Sequence, residues 1–100
     1  MSIRDNASQM ATALADKEIS AVELTNQHFQ QIETVDKDVH AFLYLDKEGA
    51  ISQATEIDKK RAAGEKLSPL AGVPLALKDV LTQKGVPTTC GSKILEGWRP

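Results

Sequence analysis

The residues with the clearest chemical potential are a lysine and an aspartate at the end of a short apolar run. Residues 73–77 read VPLAL, and Lys78 and Asp79 follow directly. A continuous apolar run bounded by glycine and proline predicts a buried strand. A lysine held in a desolvated site there could act as a base, as in Ser-Lys variants of the serine triad. Lys78 could also reach solvent and pair with Asp79, and the residues alone favour this second interpretation.

A second candidate is the small, polar segment 88–92, which reads TTCGS. Its hydroxyl groups and permissive backbone could lie near an active site or donate N–H groups to an anion. A loop whose small residues allow a tight turn is the simpler interpretation. Cys90 would need a base to act as a nucleophile, and nothing in the sequence brings His28 or His40 close to it. We therefore expect Cys90 to be a buried or half-buried small residue.

Several classes of site are disfavoured by the composition. The two histidines and the lone cysteine match no zinc pattern, and no glycine-rich phosphate motif is present. The net charge of −2 gives no reason to expect nucleic acid or an anionic membrane as a partner. No apolar run approaches the roughly 18 residues that span a bilayer. A single cysteine fits a reducing cytoplasm. We expect no metal or cofactor in this chain.

Three helices are predicted upstream of the candidate residues. Asn6 or Ser8 caps a first short helix. Ser20, with glutamate three residues later, forms a capping box that starts a second helix, which the apolar stripe carries to about Val35 or Asp36.

The third helix follows a linker of β-prone residues. Residues 40–46 (HAFLYLD) are expected to run extended. Asp46 then caps a helix with a thin apolar face, a basic last turn and a stop at Gly64.

These elements predict the α/β class. Residues 1–64 are mainly helical, and residues 65–100 begin an α/β core at the strand over 73–77. A single strand would leave its edges unpaired, because mixed and parallel sheets need several strands covered on both faces. We therefore expect the chain to be the N-terminal part of one larger domain.

The same residues resemble a known family. Residues 71–79 (AGVPLALKD) are similar to the lysine-bearing segment of the amidase signature family, and residues 88–92 match an element that follows it. Residues 93–100 (KILEGWRP), 20–25 (SAVELT) and 40–43 (HAFL) resemble the A-subunit branch of that family, from the bacterial glutamyl-tRNA(Gln)/aspartyl-tRNA(Asn) amidotransferases. The resemblance covers nearly the whole chain and is strongest from residue 70 onward.

The resemblance implies a mixed-sheet amidase fold and a Ser–cis-Ser–Lys triad. Lys78 matches the lysine, which acts through the middle serine to activate the nucleophilic serine. The two serines belong to a downstream segment that this chain lacks, and Ser68 and Ser92 match neither. The chain alone is therefore expected to be inactive.

The resemblance also implies partners. Glutamine would be hydrolysed to ammonia, and a cytoplasmic partner subunit that uses ATP and Mg²⁺ would transfer the ammonia to Glu-tRNA(Gln), Asp-tRNA(Asn) or both. A third small subunit would complete a heterotrimer. Two alternatives stay open: a stand-alone amidase of the same superfamily, and a non-catalytic helical module that docks a partner through its first two helices.

Overall fold

The computed structural model describes residues 3–100. This part of the chain contains three α-helices and one short 3₁₀ helix: α1 (Ala7–Ala15), α2 (Ala21–Val39), α3 (Lys47–Ala62) and the 3₁₀ turn Lys93–Leu95. The remaining described residues form turns and irregular segments. No helix in this region is long and apolar enough to cross a membrane.

The predicted helix starts are confirmed. The Asn6 side chain accepts a hydrogen bond from the Gln9 N–H at 2.9 Å, and the Gln9 side chain accepts one from the Asn6 N–H at 2.8 Å. Ser20 Oγ accepts the Glu23 N–H at 3.0 Å. Asp46 Oδ1 accepts the Gly49 N–H at 3.2 Å. Each cap satisfies backbone donors that have no partner inside their own helix.

The helix ends are explained by backbone geometry. Gly64 stops α3 as predicted: its φ is 78°, and the N–H groups of Gly64 and Glu65 each bond back to carbonyls of the last turn at 3.1 Å. The predicted end of α2 near Val35 is wrong, because the helix continues to Val39. The apolar stripe ends at Val35, but backbone bonding continues until His40 turns left-handed, with φ 54°.

Residues 40–46 do not form the regular extended segment that their β-prone composition predicts. The left-handed His40 opens an irregular linker instead. The Ala41 N–H bonds back to Asp36 Oδ1 at 2.7 Å, which keeps the start of the linker against the end of α2.

The three helices share one small core. Leu14 of α1 and Leu24 of α2 are each only 1% exposed, and Ala54 of α3 is buried beside them. Val73, from the segment after α3, also packs against this core. The candidate segment therefore starts from a fixed point on the helical layer.

Asp58 of α3 joins this helix to the start of α2. Its Oδ1 accepts the Ala21 N–H at 2.8 Å, and its Oδ2 accepts the Val22 N–H at 3.1 Å. Together with the Ser20 cap on Glu23, these bonds satisfy all three N–H groups of the first turn of α2. A carboxylate at this position also interacts favourably with the helix dipole.

Replacing Asp58 by alanine is expected to lower the free energy of unfolding by about 2 kcal/mol, because two charge-assisted hydrogen bonds are lost and two N–H groups lose their partners. Urea unfolding followed by circular dichroism measures the change, and hydrogen exchange at Ala21 and Val22 should accelerate. Glu56→Ala is the matched control. It removes an exposed carboxylate of α3 that pairs only with Lys59 at 3.4 Å, and such surface pairs contribute little. Equal losses in both variants would contradict the role given to Asp58.

The strand predicted over residues 73–77 is absent. Within the described residues the one β-bridge joins Gln83 and Val86, and no ladder forms along residues 75–77. Leu75 is 83% exposed and Leu77 is 43% exposed, so the apolar run is not buried either. A strand needs a hydrogen-bonded neighbour, and no other segment between residues 3 and 100 lies alongside this one. The structure is therefore mostly helical, and the predicted start of a sheet is not formed.

Candidate active site

The segment leading to Lys78 is anchored on the helical layer just before it. Arg61 of α3 donates from Nη2 to the Ala71 carbonyl oxygen at 3.1 Å. Gly72 follows with φ 92° and lies against all three helices. A Cβ at Gly72 would come within 3.0 Å of the Ala21 Cβ and 3.3 Å of Leu14 Cδ1. Glycine suits this position because a side chain would be strained at this φ and crowded by these neighbours.

Lys78 itself is exposed, so the burial expected for a base is not found in this chain. The apolar side chains near it in sequence, such as Leu75 and Val80, are exposed as well. Nothing within the described residues therefore excludes water from its ammonium group. The exposure of Lys78 agrees with the alternative interpretation in that the side chain reaches solvent, but the pairing with Asp79 is not formed, because the Asp79 carboxylate bonds to a different segment. No ion pair or hydrogen bond of the Lys78 side chain occurs between residues 3 and 100.

Asp79 holds the TTCGS segment. Its carboxylate accepts hydrogen bonds from the Thr89 N–H at 2.9 Å, from the Thr89 hydroxyl, and from the Gly91 N–H at 3.3 Å. Its backbone carbonyl accepts the Cys90 N–H at 2.9 Å. We call these four contacts the Asp79 clamp. The clamp joins the residue directly after Lys78 to three consecutive residues of the loop.

The clamp favours the ionised form of Asp79. The Thr89 hydroxyl, then the Thr89 N–H, hold the pKa of this carboxyl below its ordinary value, and partial desolvation opposes them. Because the folded-state pKa is the lower one, the contribution of this group to stability is present above the ordinary aspartate pKa. It is lost as the pH falls through the lowered value.

Anion binding by residues 88–92, the less favoured of the two interpretations, is met in the structure by a carboxylate of the chain itself. The N–H groups that could have bound an external anion are directed to Asp79 instead. Cys90 adopts φ 53° in this turn and its side chain is exposed, so the prediction of a buried cysteine is wrong. With the N–H groups of residues 89–91 turned towards Asp79, the Cys90 side chain is left at the surface. Thr88 is the buried member of the segment, at 3% exposed.

The far side of the loop is held by the last residues of the chain. The Thr88 N–H bonds to the Trp98 carbonyl at 3.2 Å, and the Gly85 N–H bonds to the Pro100 carbonyl at 2.7 Å. Arg99 donates to the Gly85 carbonyl at 2.7 Å, and its guanidinium lies 5.7 Å from the centre of the Tyr44 ring. The loop is therefore fixed on both sides.

The remaining candidates have structural positions. His28 lies on α2 with its Nδ1 at 2.9 Å from the Leu24 carbonyl oxygen, and His40 ends the same helix. Ser92 Oγ accepts the Ile94 N–H at 3.2 Å and caps the 3₁₀ turn. Among residues 3–100, no three histidine, cysteine or acidic side chains cluster as a metal site.

The sequence alone did not show that Arg61, Gly72 and Asp79 hold residues 71–79 in place. The signal for Asp79 was the hydroxyl-rich TTCGS segment, since such residues donate readily to a carboxylate. Nothing in the local sequence identified the contact of Arg61 with Ala71.

Comparison with known proteins decides the family. The family model for amidases matches residues 23–100. This chain belongs to the amidase family.

Curated relatives are similar to the chain over almost its full length. The glutamyl-tRNA(Gln) amidotransferase A-subunit of Streptomyces coelicolor (strain ATCC BAA-471 / A3(2) / M145) is 57% identical over 98 residues, covering 98% of this chain and 20% of the relative. Its counterpart from Mycobacterium tuberculosis (strain ATCC 25177 / H37Ra) is 55% identical over 98 residues, covering 97% and 20%. The chain thus spans about a fifth of the length of these relatives.

Solved structures share the backbone fold of this chain. A bacterial aryl acylamidase of the amidase signature family superposes with a TM-score of 0.90 at 28% identity, covering 95% of this chain and 20% of that one. A chain from a vestigial protein complex tied to the origins of an s-triazine catabolic enzyme gives 0.89 at 33% identity, covering 96% and 21%. The chain aligns to the N-terminal part of amidase signature structures.

Proposed function

We propose that this chain is the N-terminal part of the glutaminase subunit of a tRNA-dependent amidotransferase. The observation that carries the proposal is its 57% identity over 98 residues to a glutamyl-tRNA(Gln) amidotransferase A-subunit. The whole domain would then have the α/β amidase signature fold, in which residues 65–100 join a mixed sheet supplied mainly by the rest of the protein.

In the proposed reaction Lys78 is the base of a Ser–cis-Ser–Lys triad. It takes a proton through the middle serine, and the nucleophilic serine attacks the side-chain carbonyl carbon of glutamine. Lys78 returns that proton through the middle serine to the amide nitrogen as the C–N bond breaks, and ammonia leaves. Water then attacks the acyl-enzyme, which releases glutamate and restores the serine hydroxyl. Both serines would belong to the part of such a subunit that this chain does not span, and the chain alone would then have no activity.

The contacts of the segment support this role. The Lys78 side chain has no hydrogen-bond or ion-pair partner within residues 3–100, while Asp79, directly after it, bonds to residues 89–91. Burial of the lysine would come from the rest of the domain, which would also cover the exposed apolar side chains Leu75, Leu77 and Val80.

The proposal includes partners. Ammonia would pass to a cytoplasmic partner subunit that uses ATP and Mg²⁺ to amidate Glu-tRNA(Gln), Asp-tRNA(Asn) or both, and a third small subunit would complete a heterotrimer. The superposition on an aryl acylamidase favours a second candidate, a stand-alone amidase acting on another amide. Membership of the amidase family favours either enzyme over a non-catalytic helical module.

Reconstitution separates the two enzymes. The full-length protein is expected to co-purify with two partner subunits, and the complex should convert Glu-tRNA(Gln) or Asp-tRNA(Asn) to the amidated form with glutamine as nitrogen donor. A stand-alone amidase would purify by itself and turn over small aryl or alkyl amides without tRNA. That second result would contradict the amidotransferase assignment.

A further inference from the structure

We infer that Asp79 is a positioning residue for Lys78, because its clamp on residues 89–91 fixes the backbone from which the lysine extends. The inference rests on the proposed function, since it gives Asp79 a part in the same reaction. Asp79 is not a catalytic residue in this account: it acts through Lys78.

The first observation behind this inference is the number of hydrogen bonds that join Asp79 to one loop. Three hydrogen bonds reach the Asp79 carboxylate from Thr89 and Gly91, and a fourth reaches its backbone carbonyl from Cys90. Side chain and main chain of one residue are thus tied to the same loop, which restricts rotation of that residue. The Cα atom of Lys78 lies about 3.8 Å from that of Asp79, as across any trans peptide bond, so the clamp constrains it directly.

The Lys78 carbonyl, which belongs to the peptide unit that joins Lys78 to Asp79, is also held. The Leu81 N–H donates to the Lys78 carbonyl oxygen at 3.0 Å, which closes a tight turn over residues 78–81. The ammonium group, in contrast, has no partner in the described region. A held backbone with an unpartnered side chain suits a lysine whose amino group accepts a proton from side chains in another part of the domain.

The loop that receives the clamp is itself anchored. Thr88 is 3% exposed and bonds to Trp98, and Gly85 bonds to Pro100. Asp79 is therefore joined to a held loop and not to a free one. A displacement of about 1 Å at a reacting group can lower a rate by about 100-fold. We therefore expect loss of this anchor to lower the rate of the chemical step.

The test uses the full-length protein assembled with its partner subunits and measures glutamine hydrolysis. Asp79→Asn and Thr89→Val should lower kcat by about 10- to 100-fold, with KM changed by less than about 3-fold, because positioning affects chemistry more than substrate binding. Thr89→Ser keeps the hydroxyl and should recover most of the activity lost in Thr89→Val. Glu96→Gln, which neutralises an exposed carboxylate of the same region, should match the parent.

Normalising kcat to the acyl-enzyme burst separates positioning from simple stabilisation. If Asp79 only stabilises the fold, its variants lose melting temperature and active fraction, but kcat per active site stays unchanged, which would overturn the inference. If Asp79→Asn does not fold, the comparison of Thr89→Val with Thr89→Ser decides the question, because both keep the carboxylate.

Lys78→Ala, measured in parallel, separates this inference from the proposed function. An inactive Lys78→Ala beside a fully active Asp79→Asn refutes the positioning role and leaves the proposed function standing. A fully active Lys78→Ala refutes the proposed function itself.

Discussion

Replacing Lys78 by alanine in the full-length protein is expected to lower glutamine hydrolysis by about 1,000-fold or more, because the proposed triad loses its base. Neither histidine of this chain belongs to the Lys78 segment: His28 bonds to its own helix and His40 ends that helix. Lys78→Arg should be as inactive as Lys78→Ala, since a guanidinium stays protonated and cannot accept the proton. Steady-state release of ammonia by the assembled complex measures the loss.

The structure predicts that this loss is chemical and not a failure to fold. Lys78 is exposed and its side chain makes no contact that holds the helical layer together. Melting temperature and assembly with the partner subunits should therefore be unchanged. Lys84→Ala is the matched control, because Lys84 is an exposed lysine six positions along the same segment and should retain full activity. Near-parent hydrolysis by Lys78→Ala would refute the catalytic assignment.

Replacing Gly72 by alanine should lower the free energy of unfolding by about 2–4 kcal/mol. Two effects add. The backbone at φ 92° disfavours any residue with a Cβ, and the new methyl group would come within 3.0 Å of Ala21 Cβ and 3.3 Å of Leu14 Cδ1. Both neighbours are buried in the core, so neither can move aside easily. Urea unfolding measures the change.

Gly85→Ala measures the conformational part of that effect without the packing part. Gly85 also has a positive φ, 77°, but a Cβ there meets nothing within 4 Å. Gly85→Ala should therefore lower the free energy of unfolding only through the unfavourable backbone conformation, by about 1 kcal/mol. If Gly72→Ala and Gly85→Ala lose the same free energy of unfolding, the close approach of Gly72 to the helices does not explain why a glycine is needed there.

The helix starts and one helix stop could be predicted because their causes are local. Asn6, Ser20 and Asp46 each cap an N–H group three residues away, and Gly64 adopts the left-handed turn that ends α3. The same local reasoning failed at the end of α2, because backbone hydrogen bonding continues after the apolar stripe stops.

The strand over residues 73–77 could not be decided by composition. Its residues have strand character, but a strand forms only beside another strand, and no part of residues 3–100 provides one. The sequence also singled out Lys78 as a residue of interest without determining its surroundings. Exposure depends on what packs around a side chain, and the helical layer covers the segment only as far as Val73.

By itself, then, the sequence determined three helices, their N-terminal caps and the family, and it singled out the lysine on which the proposed chemistry depends. Only the tertiary structure revealed that Asp58 joins α3 to α2, that Gly72 allows the segment onto the core, and that Asp79 bonds to Thr89 instead of Lys78. The physical reason is the range of the interactions. Caps and turns depend on residues within a few positions, whereas a carboxylate binds whichever N–H groups the fold brings to it, here up to 37 residues away.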